Sequence, residues 1–505
     1  MRITQALVRA VTVAPNRTAT IDGMRVRTWR DVFESVGRTA GGLANRGVSP
    51  GDRVAVLANN CDAFFDAYFA VPWAGAVLTP LNTRLAPPEL AFQLKDAGAR
   101  LLLFGREFED VALRLRAEGA VEDLVALDDG GSSQIERLAD LRADRPMPEV
   151  EAGDATLAGI FYTGGTTGLP KGVMLSHGNL HTIASNLLMS IPYDETCVNL
   201  HATPMFHLAD IGILMATMAG GAHVFERSLQ ADVLLEAIAR HRVTHCFTVP
   251  AVLDRLARAE RSIELDLSSL RVLGYGGSSL PAASFTVARQ RFPDVDFVQG
   301  FGQTEMAAAT FLSPRDHRVD ADLSRLRSAG QVCLGYEIRI VDENDQGVPR
   351  GVVGEIVGRG GNVMMGYWHR PDETLQALRG GWLHTGDTGY MDDEGYIYIV
   401  DRLKDMIVSG AENVYSIEVE NAISWHPSIE ESAVIGVPDP VWGERVHAII
   451  VPKRGASPPD LVSLVAFCRE HIAGYKCPKS LEVRSEPLPR SAVGKILKTS
   501  LRTAR

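Results

Sequence analysis

Through roughly the first 400 residues the chain alternates short apolar, β-rich runs with longer segments of helical periodicity. The runs are "DRVAVLAN" (52–59), "AVLTPL" (76–81), "RLLLFG" (100–105), the apolar stretch 158–162 of "AGIFYTGG", "HCFTVP" (245–250) and "LRVLGYGG" (270–277). Strands separated by helix-length segments predict right-handed βαβ units, and hence mostly parallel sheets with helices on both faces. Ligand sites of such sheets lie beyond the carboxyl ends of the strands. Between about 330 and 400 the pattern shortens, with frequent Gly and Asp, as in "YEIRIVDENDQGVPRGVVGEIVGRG" and "DDEGYIYIV". That texture predicts antiparallel β, as a small barrel or a meander. After "VDRLKD" (400–405) come about a hundred residues of mixed pattern, including the helix-like "SIEVENAISWH" and the strand-like "HAIIVP". The domains expected are therefore 1–400 and 405–505, joined at Asp401–Lys404. The stretch "GAVEDLVALDDGGSSQ" (119–134) is expected to be a surface loop, and no internal repeat is visible.

Bulk properties narrow the class. A chain of 505 residues with 46% hydrophobic content suggests about three or four globular units, each with a core. A formal net charge of −11 argues against a nucleic-acid partner, which selects for a basic face. The six cysteines contain no C-x-x-C pair, so neither a disulfide framework nor a zinc site is indicated, and a cytoplasmic location fits best. The N-terminal "MRITQALVRAVTVAPNR" has apolar residues at helical spacing but is interrupted by Arg9, unlike a signal peptide. The most apolar segment, "IGILMATMAGGAHVF" (211–225), is too short and glycine-rich for a membrane span. Peripheral membrane association and a homodimer both stay compatible with these patterns.

The densest chemical signal is "YTGGTTGLPKG" (162–172), in which Gly and Thr precede a single lysine, Lys171. Glycines let backbone N–H groups approach a ligand closely, and threonine hydroxyls add donors, so such a loop suits phosphate oxygens. It is not a Walker loop, because Pro170 and Gly172 flank the lysine where Gly and Ser/Thr at a helix start are required. Taken alone, the stretch could equally be a flexible surface turn.

Six further motifs follow in order: "PMFH" (204–207), "GYGGSSLP" (274–281), "QGFGQTE" (299–305), "HTGD" (384–387), "DRLKDMIVSGAENVYSIEVE" (401–420) and "PRSAVGKILK" (489–498). Together with the loop, they identify the chain as resembling the adenylate-forming superfamily, and within it the acyl-CoA synthetases. The resemblance runs through nearly the whole chain. It implies an α/β fold: a large N-terminal domain of two parallel-type sheet subdomains plus a small β-barrel, followed by a small mobile α+β domain after a hinge at 401–404. It also implies the chemistry. A carboxylate attacks the α-phosphorus of Mg²⁺-bound ATP, pyrophosphate leaves, and the thiolate of coenzyme A then displaces AMP from the acyl-adenylate. Both steps develop charge on oxygens, which donors, cations and a metal stabilise.

Carried over position by position, the resemblance assigns Thr163, Gly164, Gly165, Thr166, Thr167, Gly168 and Lys171 to the β- and γ-phosphates. Gly276, Gly277 and Ser278 would form one wall of the adenine slot, and Phe301, within Gln299, Gly300 and Gly302, the other. Thr304 would touch the α-phosphate and the metal, and Glu305 would be the Mg²⁺ ligand, since a hard carboxylate oxygen suits a hard cation. Asp387, aided by Arg402, would hold the ribose; outside such company an acid in a Gly-rich turn is ordinarily a turn cap. Lys495 is expected to carry adenylation from the small domain, whereas its neighbour Lys498 reads as a solvated lysine. Ser409, Gly410 and Ala411 would line the pantetheine tunnel, and His207 with Gly302 the acid pocket, although a lone His beside Met205 and Phe206 is more often a packed residue.

Departures from the family pattern are Gly164 for a common serine, Phe301 for Tyr, Ala411 for a second glycine and Val493 for a frequent Thr; none removes a charge. The Asp that pairs a substrate ammonium in amino-acid-activating relatives is missing after Phe206. The expected substrate is thus a medium- to long-chain fatty acid or similar apolar monocarboxylic acid. An aryl-acid CoA ligase, an enzyme loading a carrier protein and, from a different class, an inactive nucleotide-binding scaffold are the alternatives.

Overall fold

The computed structural model describes residues 1–503 except 128–134, 164–169, 279, 281, 319–322, 403–404, 410–411, 441 and 491–495. Two large sheets take up most of the first two-thirds of the chain. One has seven strands; its parallel core sets Arg53–Leu57 between Val77–Pro80 and Leu101–Phe104, with Asp123–Ala126 beyond the latter. These strands read as continuous apolar runs because helices cover both faces, and every residue of Val77–Pro80 and Leu101–Phe104 is buried. Asp123–Ala126 lies within the stretch expected to be a surface loop. Its three apolar residues Leu124, Val125 and Ala126 are buried on that sheet instead, and the acidic and glycine residues around it disguise it.

The second sheet has nine strands, with a parallel centre in which His245–Thr248 lies between Val198–His201 and Val272–Gly276, and Asp296–Gln303 follows. Helices begin where the sequence supplies caps. Thr28 accepts from the N–H of Asp31, whose carboxylate accepts from the Thr28 N–H, opening Trp29–Asn45. The helix packs Trp29 against Phe65 at 6.4 Å, inside a core shared by both sheets.

Residues 336–402 form four antiparallel strands, Tyr336–Val341, Gly354–Gly360, Leu383–Met391 and Ile397–Arg402, in that spatial order. The small β-barrel is thus an open meander: among the described residues its first and last strands do not pair. Its core is small, with Ile340, Ile356 and Ile397 at the centre. The chain leaves the meander once, at Gly366–Tyr367, to add an edge strand to the seven-stranded sheet. That excursion builds the site.

The C-terminal part is a separate sheet around the long hairpin Ile429–Asp439 and Gly443–Pro452, covered by Ser416–Ser424 and Leu461–Arg469, with its own apolar core. Ser416 at the start of this region donates its N–H to the Asp401 carboxylate, a bond across the junction. Lys498 is not the solvated residue expected. Its ammonium is 2.7 Å from Glu420 and also meets the Ser416 hydroxyl, and its side chain is only 13% exposed. The sequence hides this because Glu420 is far away along the chain. All six cysteines are buried. Among the described residues, no helix is long and apolar enough to cross a membrane.

Candidate active site

The glycine-threonine loop closes an antiparallel pair, Leu157–Thr163 with Lys171–Ser176, in which Thr163 stands opposite Lys171. The two flanking strands run antiparallel, unlike the strand-to-helix step of a parallel sheet. The helix His177–Leu188 starts one strand later, where Ser176 and Asn179 cap each other's backbone N–H groups. Thr163 and Lys171 are described and half-buried; Gly164, Gly165, Thr166, Thr167 and Gly168 lie outside the described residues.

Gly366–Tyr367 pairs with the other edge of Lys171–Ser176, Tyr367 opposite Val173, and this sets a tyrosine beside the lysine. The Lys171 ammonium lies 5.0 Å from the Tyr367 ring centroid and is ion-paired with Glu373, in the short helix Pro371–Ala377. The Tyr367 hydroxyl donates to Glu305 Oε1 at 2.8 Å. Burial, then the carboxylates of Glu305 and Glu373, raise the phenol pKa, so this hydroxyl stays a donor at neutral pH. One aromatic ring therefore touches both the loop lysine and the expected metal ligand. Neither Tyr367 nor Glu373 was singled out by motif; the only signal was an aromatic and an acid in "GYWHRPDE".

Glu305 sits in the turn between Asp296–Gln303 and Ala307–Leu312, which pair antiparallel with an irregularity between Phe301 and Gly302. A Cβ on Gly302 would overlap the Ala307 carbonyl, so this glycine lets the hairpin close. The turn is held from outside: Met364 N–H donates to the Glu305 carbonyl at 2.8 Å, and Asn362 Nδ2 to the Met306 carbonyl at 2.7 Å. Glu305 is 8% exposed, and Thr304, Gln299, Gly300 and Phe301 are half-buried around it.

Gly276 and Gly300 are register partners on adjacent parallel strands, and a Cβ on Gly276 would stand 2.6 Å from the Gly300 carbonyl. The two segments proposed as opposite adenine walls thus leave the same sheet side by side, with Gly277 at φ +83° and Ser278 exposed. Gln303 Nε2 reaches the Thr385 carbonyl at 3.5 Å, which brings the "HTGD" turn to the Glu305 hairpin. Thr385 Oγ1 accepts from the Asp387 N–H at 3.0 Å, and Glu355 accepts from the Gly386 N–H at 3.0 Å. These bonds hold the buried Asp387 opposite Arg402 in the strand register; the Arg402 side chain lies outside the described residues.

His207 is half-buried in the turn after Val198–His201, its ring centroid 5.0 Å from that of Phe206. It lies on the second sheet, the same sheet that bears the Glu305 hairpin. Ser409 is buried in the C-terminal sheet, where Ile407–Ser409 pairs with Glu412–Val414 and Lys479 Nζ donates to its hydroxyl at 3.2 Å. Gly410, Ala411 and Lys495 lie outside the described residues.

Among the described residues, no three His, Cys, Asp or Glu side chains cluster as metal ligands. That is compatible with Mg²⁺, which takes one or two carboxylates and draws its remaining oxygens from phosphates and water. Glu305, already oriented by a hydroxyl, fits as that carboxylate.

Lysine, carboxylate and glycine-edged strand ends are thus gathered from two sheets and a meander in one α/β enzyme fold. The chain belongs to the AMP-binding enzyme family, whose description matches residues 7–368, and its C-terminal domain matches 418–495. It is 39% identical over 497 residues to a feruloyl-CoA synthase of Amycolatopsis sp, covering 98% of this chain and 97% of the relative. It is 36% identical over 500 residues to the long-chain-fatty-acid–CoA ligase FadD13 of Mycobacterium tuberculosis, covering 97% and 96%. The structure of the amide bond synthetase McbA from Marinactinospora thermotolerans superposes with a TM-score of 0.90 at 31% identity, covering 99% of each chain.

Proposed function

We propose that this chain is an AMP-forming carboxylate:CoA ligase for an apolar monocarboxylic acid. The observation that carries the reading is the contact of Tyr367 with both Lys171 and Glu305, which sets a cation and a hard carboxylate at one edge of the nucleotide walls. Family membership and full-length similarity to CoA ligases support it.

In this reading Lys171 and the loop from Thr163 take the β- and γ-phosphates, and Glu373, its present partner, yields the ammonium to the polyphosphate. Gly276–Ser278 and Phe301 flank the adenine, and Asp387 with Arg402 accepts and steadies the ribose hydroxyls. Glu305, with Thr304 beside it, would hold Mg²⁺, which would supply positive charge against that building on the phosphates. Tyr367 keeps the Glu305 carboxylate aimed, and Lys495 reaches the α-phosphate during adenylation. After pyrophosphate leaves, movement about 401–404 withdraws Lys495 and brings Ser409–Ala411 to the pantetheine arm. His207 and Gly302 border the acid.

The feruloyl-CoA synthase similarity favours an aryl-propenoic acid, and the FadD13 similarity a fatty acid. AMP release with CoA present, screened over hydroxycinnamates, benzoates and fatty acids of graded length, decides between them. The expected result is turnover with one of these groups and none with amino acids. No AMP or pyrophosphate from any acid would leave the nucleotide-binding scaffold as the better reading, and release only with a phosphopantetheinylated carrier would make it a carrier-loading enzyme.

A further inference from the structure

The turn that carries His207 is tied down at both ends by buried polar side chains outside the motifs' assigned roles. At its start stands Asn60, 5% exposed, which follows the strand Arg53–Leu57 of the seven-stranded sheet. Its Nδ2 donates to the carbonyls of His201 at 2.8 Å and Thr203 at 2.9 Å, and its Oδ1 accepts from the Met205 N–H at 2.8 Å. One amide from the first sheet thus supplies three bonds that the backbone loses on leaving the second. At the far end the Asp210 N–H donates to the His207 carbonyl at 3.0 Å, and the buried Asp210 carboxyl lies 2.7 Å from His201 Nδ1.

Donor and acceptor counting extends this second tie through the core. Thr217 Oγ1 donates its one proton to the Ile213 carbonyl at 2.6 Å, so at its 3.1 Å contact with His223 Nε2 it must accept. Burial drives the His223 pKa well below its ordinary value, so the ring is neutral and its Nδ1 is an acceptor. His201 Nε2, 3.0 Å away, therefore carries a hydrogen and donates to it. A neutral His201 then presents a bare Nδ1, which can bond Asp210 only if one proton lies between them. The Asp210–His201 pair holds that proton on either partner, and the chain Asp210–His201–His223–Thr217 is satisfied and carries no net charge. Aromatic neighbours hold the rings in place: His201 stacks on Phe225 at 4.8 Å, and Phe65 lies tilted against His223 at 4.5 Å between centroids.

We infer that Asn60 and Asp210, the latter through His201 and His223, are positioning residues that clamp the turn 202–210 and thereby set His207 against the acid. This rests on the reading of His207 as a pocket residue. A clamp of this kind acts on acid recognition and leaves nucleotide recognition, built on other strands, untouched.

Asp210→Ala and Asp210→Asn separate the possibilities. Alanine leaves His201 Nδ1 without its partner, whereas the asparagine amide donates to it and keeps the chain intact with a neutral imidazole. The expected result is that Asp210→Ala raises KM for the acid about tenfold with KM for ATP within twofold, and speeds amide hydrogen exchange at 205–210. Asp210→Asn restores both, and in a His207→Ala background Asp210→Ala adds no further change in KM for the acid. Unchanged exchange at 205–210 in Asp210→Ala overturns the clamp. So does an equal rise of both KM values, or an acid effect that persists undiminished without His207. Faster exchange with an acid KM that moves in neither Asp210→Ala nor His207→Ala refutes the pocket role of His207, while ligase activity itself still stands.

Discussion

Tyr367 is the residue whose removal tests the site most cleanly. Its hydroxyl donates to a carboxylate oxygen of Glu305, while its ring lies under Lys171, so Tyr367→Phe removes the first contact and keeps the second. A hydrogen bond to a charged group is worth about 1.5–3 kcal/mol, or roughly 10- to 150-fold in an equilibrium or rate. If the bond aims Glu305 at Mg²⁺, the phenylalanine variant should lose about tenfold in pyrophosphate release and need more Mg²⁺ for half-maximal rate. A direct Mg²⁺ titration of ATP binding should shift likewise. An Mg²⁺ dependence identical to wild type would sink the positioning role. At this scale the motifs, through the family resemblance, point to Lys171, Glu305 and Asp387, and the structure brings the first two to one tyrosine. Tyr367 escaped notice because a tyrosine in an edge strand looks like ordinary packing until its partner, 62 positions away, is known.

Among the elements, the strand Val272–Gly276 shows how a wall of the site is held from behind. Tyr275 hydrogen-bonds His317 Nε2 at 2.9 Å, and His317 Nδ1 lies 2.8 Å from the Ser313 carbonyl, beside the 3₁₀ turn Pro314–His317. Nδ1 is therefore the donor, and in a neutral ring Nε2 accepts from the Tyr275 hydroxyl. Burial lowers the His317 pKa to about 4. As the pH falls below the ordinary value near 6.5, the unfolded chain gains a proton that the folded one refuses, so stability declines until about pH 4. His317→Gln keeps hydrogen-bonding capacity and removes that titration. Its unfolding free energy from urea titration should therefore fall less steeply over this window, by up to about 1.4 kcal/mol per pH unit; parallel curves for the two proteins would exclude the linkage. The elements are legible where apolar spacing is clear, as in Thr4–Val13 and the central parallel strands. Asp123–Ala126 and Gly366–Tyr367 are not, since the first is set among acidic and glycine residues that read as a loop and two residues carry no periodicity. Gly302 was read as a ligand-side glycine; its closest constraint is the carbonyl of Ala307 across its own hairpin.

For the whole molecule, the proposed cycle needs the C-terminal domain to take two positions. The bond from Ser416 to Asp401 joins its first helix to the last strand of the meander. If Lys495 serves adenylation alone, Lys495→Ala should abolish acyl-adenylate formation from acid and ATP yet spare thioester formation from supplied acyl-adenylate and CoA. Equal loss of both half-reactions would end that assignment, and measuring pyrophosphate release and thioester separately checks it.

The sequence by itself determined the class: an α/β chain with a distinct C-terminal region, and ordered motifs whose residue types match adenylate chemistry. Those are local properties, because periodicity, caps and motif spacing need only neighbours along the chain. Only the tertiary structure decided that Gly366–Tyr367 leaves the meander to stand between Lys171 and Glu305, that Lys498 is paired with Glu420, and that Asn60 and Asp210 clamp the turn of His207. Each of these joins groups distant in sequence or hidden in the core, where the cost of an unsatisfied buried polar atom selects the partner and no local pattern records it.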